Sequence, residues 1–177
     1  CLVADLQIDP VLPELTQAQL IVQARYDNRV QWGETITPLV LARPADAEVP
    51  TAAQSIDAVA QAALTLTHSM VQVDQQTLNL TLFWEANELL TADYQVSVRI
   101  VDEAGKTSAQ QDNGPVNGRY PMSQWRTGVT IADPHQLALP ADLSTGRYTV
   151  VVVVYPLDTL TPLNFRWPDG SEMQLVE

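Results

Sequence analysis

Cysteine is nearly absent: its one copy is residue 1, which excludes an internal disulfide framework and any cysteine-built metal site. Basic charge is scarce as well, with 9 Lys plus Arg against 21 Asp plus Glu and a formal net charge of -12. A surface of that sign repels phosphate, so neither nucleic acid nor an anionic membrane surface is an expected partner. Apolar runs are short. The longest, Val150 to Val154, is far below the roughly 20 residues with which a helix spans a bilayer. His68 and His135 are the only histidines, and neither has a carboxylate or cysteine at ligand spacing, so no metal site is expected from them. The chain also lacks G-x-S-x-G, HExxH and a glycine-rich phosphate loop, and no cofactor is expected.

What is present is enough for one real core. Of 177 residues, 46% are hydrophobic, which rules out disorder and favours a single domain with an extension. From residue 64 onward the dominant signal is period two. Leu78, Leu80, Leu82 and Trp84 alternate with Thr77, Asn79 and Thr81, and Tyr94, Val96, Val98 and Ile100 alternate with Gln95, Ser97 and Arg99. The segment Asp102-Glu103-Ala104-Gly105-Lys106 predicts a tight turn into a strand at 107–111. Further strands are expected at 64–73, 129–138, 147–155 and 172–176. Strands this short, separated by turns rich in Gly, Pro, Asp and Asn, predict an all-β antiparallel sandwich over 64–177.

Residues 1–63 read as an N-terminal extension packed on that sandwich, broken by Pro10, Pro13, Pro38, Pro44 and Pro50, with strands at 18–26 and 34–42. From Thr51, TAAQSIDAVAQAA offers an N-cap followed by Ile56, Val59, Ala60 and Ala63 at helical spacing, which predicts one short helix. In the strand at 147–155 both parities are apolar: Tyr148, Val150, Val152 and Val154 on one, Val151, Val153 and Tyr155 on the other. A second face of that kind needs a cover, and the extension is the expected one. Because the first residue is Cys rather than Met, Cys1 reads either as the lipid-bearing residue of a processed lipoprotein or as a plain boundary of the sequence.

Two resemblances follow from these motifs. The strand ending in Trp84, the next beginning at Tyr94, and the Gly146-x-Tyr148 lead into a later strand resemble immunoglobulin and fibronectin type III sandwiches, in which that tyrosine fixes a corner. The order LTLFWEA, YQVSVRIVDEAGK, AQQDNGPVNGRYPMSQWRTG, Asp133, ALPADLSTGRYTVVVVVY is similar to a second group. It resembles the C-terminal β-sandwich found outside the membrane in bacterial polytopic proteins like the dolichyl-phosphate-mannose mannosyltransferases. Met122 stands where that pattern usually has Thr, and Val129 where an acid often follows the Gly. The resemblance covers under half the chain. It implies a non-catalytic extracytoplasmic module, attached to a parent or partner membrane protein that carries the transferase chemistry, and anchored upstream of residue 1 or through a lipid on Cys1.

The residues that invite a ligand lie in two places. The long connection 110–128 holds Asp112, Asn113, Tyr120 and Trp125, an aromatic platform with polar groups for sugar hydroxyls if the rings face solvent, and a plug for one end of the sandwich if they do not. Arg166 and Trp167 precede the Pro168-Asp169-Gly170 turn, where an exposed ring or one stacked by the arginine is expected. Trp32 has no stronger claim. Asp102, Glu103 and Asp112 offer hard-cation oxygens, which solvated acids also do. The expected function is therefore recognition of glycan or cell-envelope material, or a structural spacer. The alternative is a polysaccharide hydrolase using paired carboxylates, which leave no spacing signature.

Overall fold

The computed structural model describes residues 15–26, 29–42, 46–61 and 63–172, with side chains from residue 46 onward. Cys1 and all but the first residue of the strand expected at 172–176 lie outside the described residues, as does the side chain of Trp32. The chain divides into two compact units, Cys1–Ala45 and Asp46–Glu177. In the first, β1 (Leu15–Tyr26) and β2 (Arg29–Ala42) pair antiparallel, with register shifts after Gln19 and Ala24.

The second unit is a sandwich-like pair of antiparallel sheets. Its strands are β3 (Gln54–Ala60), β4 (Leu64–Asp74), β5 (Thr77–Ala86), β6 (Tyr94–Asp102), β7 (Thr107–Asn113), β8 (Thr130–Ala138), β9 (Tyr148–Pro156) and the two-residue β10 (Phe165–Arg166). One sheet has five strands in the order β10-β3-β4-β5-β8, the other three in the order β7-β6-β9. Alternation drives this. The even-numbered apolar residues Leu78, Leu80, Leu82 and Trp84 of β5 meet Val96, Val98 and Ile100 of β6 in one buried core, and Tyr148, Val150 and Val152 of β9 pack on it. On the other face of the three-stranded sheet, Val101, Val151 and Val153 form a second buried cluster with Tyr155 against it.

The helix expected from Thr51 is a strand. Residues 54–60 pair antiparallel with β4, and a bulge between Ser55 and Ala58 puts Asp57 at φ +55°. Ile56, Ala58 and Ala60 then face the core at period two. A short Ala-rich segment satisfies both periods, and pairing with β4 overrides its helix propensity. The short helical element lies elsewhere, at α1 (Pro115–Gly118), followed by a single 3-10 turn at Met122–Gln124.

Antiparallel register assigns the connections to two ends. Tyr94 pairs with Pro156, Val96 with Asn113 and Glu85 with Thr130, so residues 87–93, 114–129 and 157–164 gather at one end. Asp102 pairs with Tyr148 and Thr77 with Ala138, which sends 75–76, 103–106 and 139–147 to the other.

Candidate functional site

The first of these ends holds a run of left-handed residues whose conformation needs an explanation. Within α1, Val116 (φ 54°, ψ 44°) and Asn117 (φ 56°, ψ 40°) are left-handed, and Gly118 follows at φ +73°. Three successive left-handed residues, one of them β-branched, cost about 1–2 kcal/mol for each non-glycine, so something outside the turn must hold it. The holder is Asp133. Its Oδ1 accepts the Val116 N–H at 2.7 Å from β8, while its Oδ2 accepts the indole Nε1–H of Trp84 at 3.3 Å and lies 2.8 Å from His135 Nε2.

Asp133 and His135 are both buried among apolar neighbours. Sequence spacing gave His135 no carboxylate partner, and this is corrected: residues i and i+2 of a strand share a face, so Asp133 and His135 stand side by side inside the core with Ile131 and Leu137. Burying a carboxylate is tolerated when its lone pairs are met, and here a backbone amide, an indole N–H and the His135 ring nitrogen converge on it. The pair is structural in what it touches: an indole, a backbone amide and each other.

A second anchor ties the loops together. Asp93 accepts the Ser123 N–H on its carboxylate at 3.2 Å and the Leu157 N–H on its carbonyl at 3.2 Å, joining the connections 87–93, 114–129 and 157–164. Beside it lies a cleft of about 200 Å³ lined by Asp93, Tyr94, Gln95, Asn113, Gly114, Pro115, Gly118, Pro121 and Leu157. Asp93 is the single carboxylate in that lining. Leu157 in that lining is 54% exposed, and Leu89 and Leu160, on the connections at this end, are 68% and 64% exposed.

The sequence-picked residues are not brought together. Tyr120 and Trp125 are buried in the core, with the Trp125 indole N–H donated to the Tyr120 carbonyl at 3.0 Å and the Tyr120 hydroxyl to the Gln124 carbonyl at 3.0 Å. Neither offers a ring face to a sugar, so the platform reading of 110–128 gives way to the plug. Asp112 lies exposed on β7, accepting from Gln110 Nε2 at 2.8 Å, and only Asn113 reaches the cleft. Asp112 pairs with Ser97 while Asp102 ends β6, so these two acids do not converge on a cation. Among the described residues no group of three His, Cys, Asp or Glu is placed to hold a metal.

Arg166 and Trp167 sit away from the cleft on β10 and the turn after it. Arg166 bonds Glu172 at 3.1 Å, and Trp167 is 41% exposed. In that turn the Ser171 hydroxyl and amide both donate to Asp169, which holds its carboxyl below the ordinary range. Asp133, Asp93 and the exposed leucines were missed as a site. The alternation of 129–138 put Asp133 and His135 on the face of Ile131 and Leu137, and that signal was available. No family model, curated protein or solved structure matches this chain.

Proposed function

We propose that this chain is a non-catalytic module of a larger membrane-associated envelope protein, serving on the extracytoplasmic side as a spacer and assembly surface. The observation that carries the reading is the sorting of side chains at the loop end. There the aromatics Tyr120 and Trp125 turn inward and the leucines Leu89, Leu157 and Leu160 turn outward. Sugar recognition uses exposed aromatic faces, whereas contact with another protein uses desolvated apolar anchors on a firm support. The cleft supports a non-catalytic reading because its lining offers one carboxylate rather than a facing pair.

The immunoglobulin-like assignment is supported by β4-β5-β8 facing β7-β6-β9 and by Tyr148, whose hydroxyl is donated to the Ser144 carbonyl at 2.9 Å, four residues upstream. The likeness to the extracytoplasmic domain of mannosyltransferase-like proteins supports attachment to a membrane-embedded parent. One observation favours the second reading, glycan recognition: Trp167, half exposed on a turn beside Arg166. Calorimetric titration with envelope and plant polysaccharides, alongside a reducing-sugar assay, separates these. The expected result is neither saturable binding nor turnover. Binding lost in Trp167→Ala installs the glycan reading, and turnover lost in Asp93→Asn installs the hydrolase.

A further inference from the structure

We infer that the outer edge of β9 takes up one extended segment of another polypeptide, an uncharged strand with apolar side chains at every second position. The inference goes beyond the assembly reading above and does not use the leucines of the loop end. It begins with the four outer edges of the two sheets. Three are blunted in ways that discourage further pairing. β7 is short and polar and carries Asp112. β10 has two residues, and Glu172 bridges Arg166 there. β8 contains Pro134, and its Thr130 is closed off, the carbonyl by the Ala47 N–H at 2.9 Å and the N–H by the Asp46 carboxylate at 2.8 Å. β9 is the exception. Tyr148–Pro156 holds five successive valines and no charged residue, a composition that pairs readily, yet among the described residues no strand lies on its outer side.

Two hydrogen bonds fix which groups are open. Leu157 donates its N–H to the Asp93 carbonyl at 3.2 Å, so odd-numbered residues of β9 turn their backbone groups toward β6. Leu163 donates its N–H to the Val154 carbonyl at 2.7 Å, so even-numbered residues turn theirs away. Val150 and Val152 therefore present N–H and C=O outward, and no backbone bond among the described residues meets them. Leu163 makes the first rung that a neighbouring strand would make, and the chain then leaves to pair with β3 at Phe165.

The space along that edge suits a single strand. β7 lies against β8, so counting inward puts β6 over β5 and β9 over β4, and the five-stranded sheet continues past the open edge as β3 and β10. β3 begins at Gln54 opposite Ser69, so the last residues of β4 have no neighbour on that side. Val71 and Val73 on this stretch pair with Leu80 and Leu78 and share their core-directed face, yet they are 47% and 62% exposed. They lie near the 75–76 turn, at the end of the sandwich where β9 begins. An inserted strand accounts for both features, since its backbone completes the ladder and its inward side chains cover the valines. A second copy does not fit this role: joined edge to edge, its own five-stranded sheet would enter the layer that β3 and β10 occupy. The absence of charge on β9 leaves no ionic demand on the segment.

The test is amide exchange followed by NMR on the full 177-residue chain, free and with a capped peptide of about six alternating Val and Thr residues. In the free protein the amides of Val150 and Val152 are expected to exchange fast and those of Val151 and Val153 slowly. The peptide should protect Val150 and Val152 and shift the amides of 70–74. Val152→Pro, which removes an outward N–H at an edge where proline is tolerated, should weaken binding at least tenfold. Val71→Ser with Val73→Ser, at exposed positions, should weaken it several-fold. Slow exchange of Val150 and Val152 in the free monomer would show the edge already paired and overturn the inference. So would absence of binding, equal binding by a fully N-methylated peptide, unchanged affinity in both variants, or a concentration-dependent dimer that protects the same amides.

Discussion

The two ends of the sandwich hold their connections in different ways. At the end formed by 75–76, 103–106 and 139–147, the side chains that close the turns come from residues next to them, and a single backbone bond, Leu139 N–H to the Gln76 carbonyl at 2.7 Å, links two of the connections. Asp102 Oδ1 accepts the N–H groups of Ala104 and Lys106, both at 2.9 Å, Gly105 supplies φ +81°, and the Tyr148 hydroxyl reaches Ser144. At the loop end the holding residues are distant in sequence: Asp133 fixes Val116 from 17 residues away, and Asp93 fixes Ser123 from 30. Local closure needs little of the fold and leaves a turn that any neighbour tolerates. Closure at a distance requires the sheets to be assembled first, and it can hold conformations such as Val116 and Asn117 that no local preference selects. The second kind of end is therefore the one suited to presenting a surface of fixed shape.

The sharpest way to break this comparison is to remove one carboxylate from each end. Asp133→Ala strands the Val116 amide, the Trp84 indole and His135 in the core and should lower the unfolding free energy by about 3–5 kcal/mol, the range for breaking a buried pair. Asp102→Ala removes hydrogen bonds that water can replace and should cost about 1 kcal/mol. Urea denaturation of both variants reads the difference, and equal losses would show that the two ends are held alike.

A smaller effect is expected at the corner. Tyr148→Phe keeps the ring and deletes only the bond to Ser144, so a loss of about 1 kcal/mol or less is expected in the same assay. A loss approaching that of Asp133→Ala would mean that the far end depends on the whole fold after all. Smaller still, and of opposite sign, is Asn117→Gly. Relief of a left-handed non-glycine, offset by the greater freedom of the unfolded chain, should stabilise by about 0.5 kcal/mol. A destabilised variant would show that the Asn117 side chain itself holds α1.

The same division explains what was legible in the sequence. Strand β6 was expected at 94–102 and is found at Tyr94–Asp102, because alternation is a local signal. Tyr148 and Gly105 were readable for the same reason. The partners of Asp133 were not: the strand's alternation points its side chain inward, but only the fold brings Trp84 and Val116 to it. Asn117-Gly118 permits a left-handed turn, but nothing announces that it begins one residue earlier, at Val116, since a β-branched residue disfavours that region. The exposure of Leu89, Leu157 and Leu160 was hidden too, because a leucine in a loop reads equally well as an anchor for the core. Of the six candidate ligand residues, Asn113 alone lines the cleft, and Tyr120 and Trp125 were drawn into the interior by their apolar area.

The smallest expected effect concerns β9, which runs from one end to the other with a tyrosine near each. Tyr155, opposite Gln95 at the loop end, packs on Val101, Val151 and Val153. Burial pushes its phenol above the ordinary value of 10.0, the charge of Asp112 pushes it further, and Arg99 partly opposes them. The folded protein therefore keeps this proton to higher pH than the unfolded chain does. Between the two values the native state binds more protons, so stability falls as pH rises, while below the unfolded value the full contribution is present. Urea midpoints measured from about pH 9 to 11 should decline, and Tyr155→Phe should flatten part of that decline without lowering stability near neutrality. If the slope is the same in Tyr155→Phe, the alkaline loss comes from the net charge of the chain as a whole, and burial at the loop end of β9 is not what the titration reads.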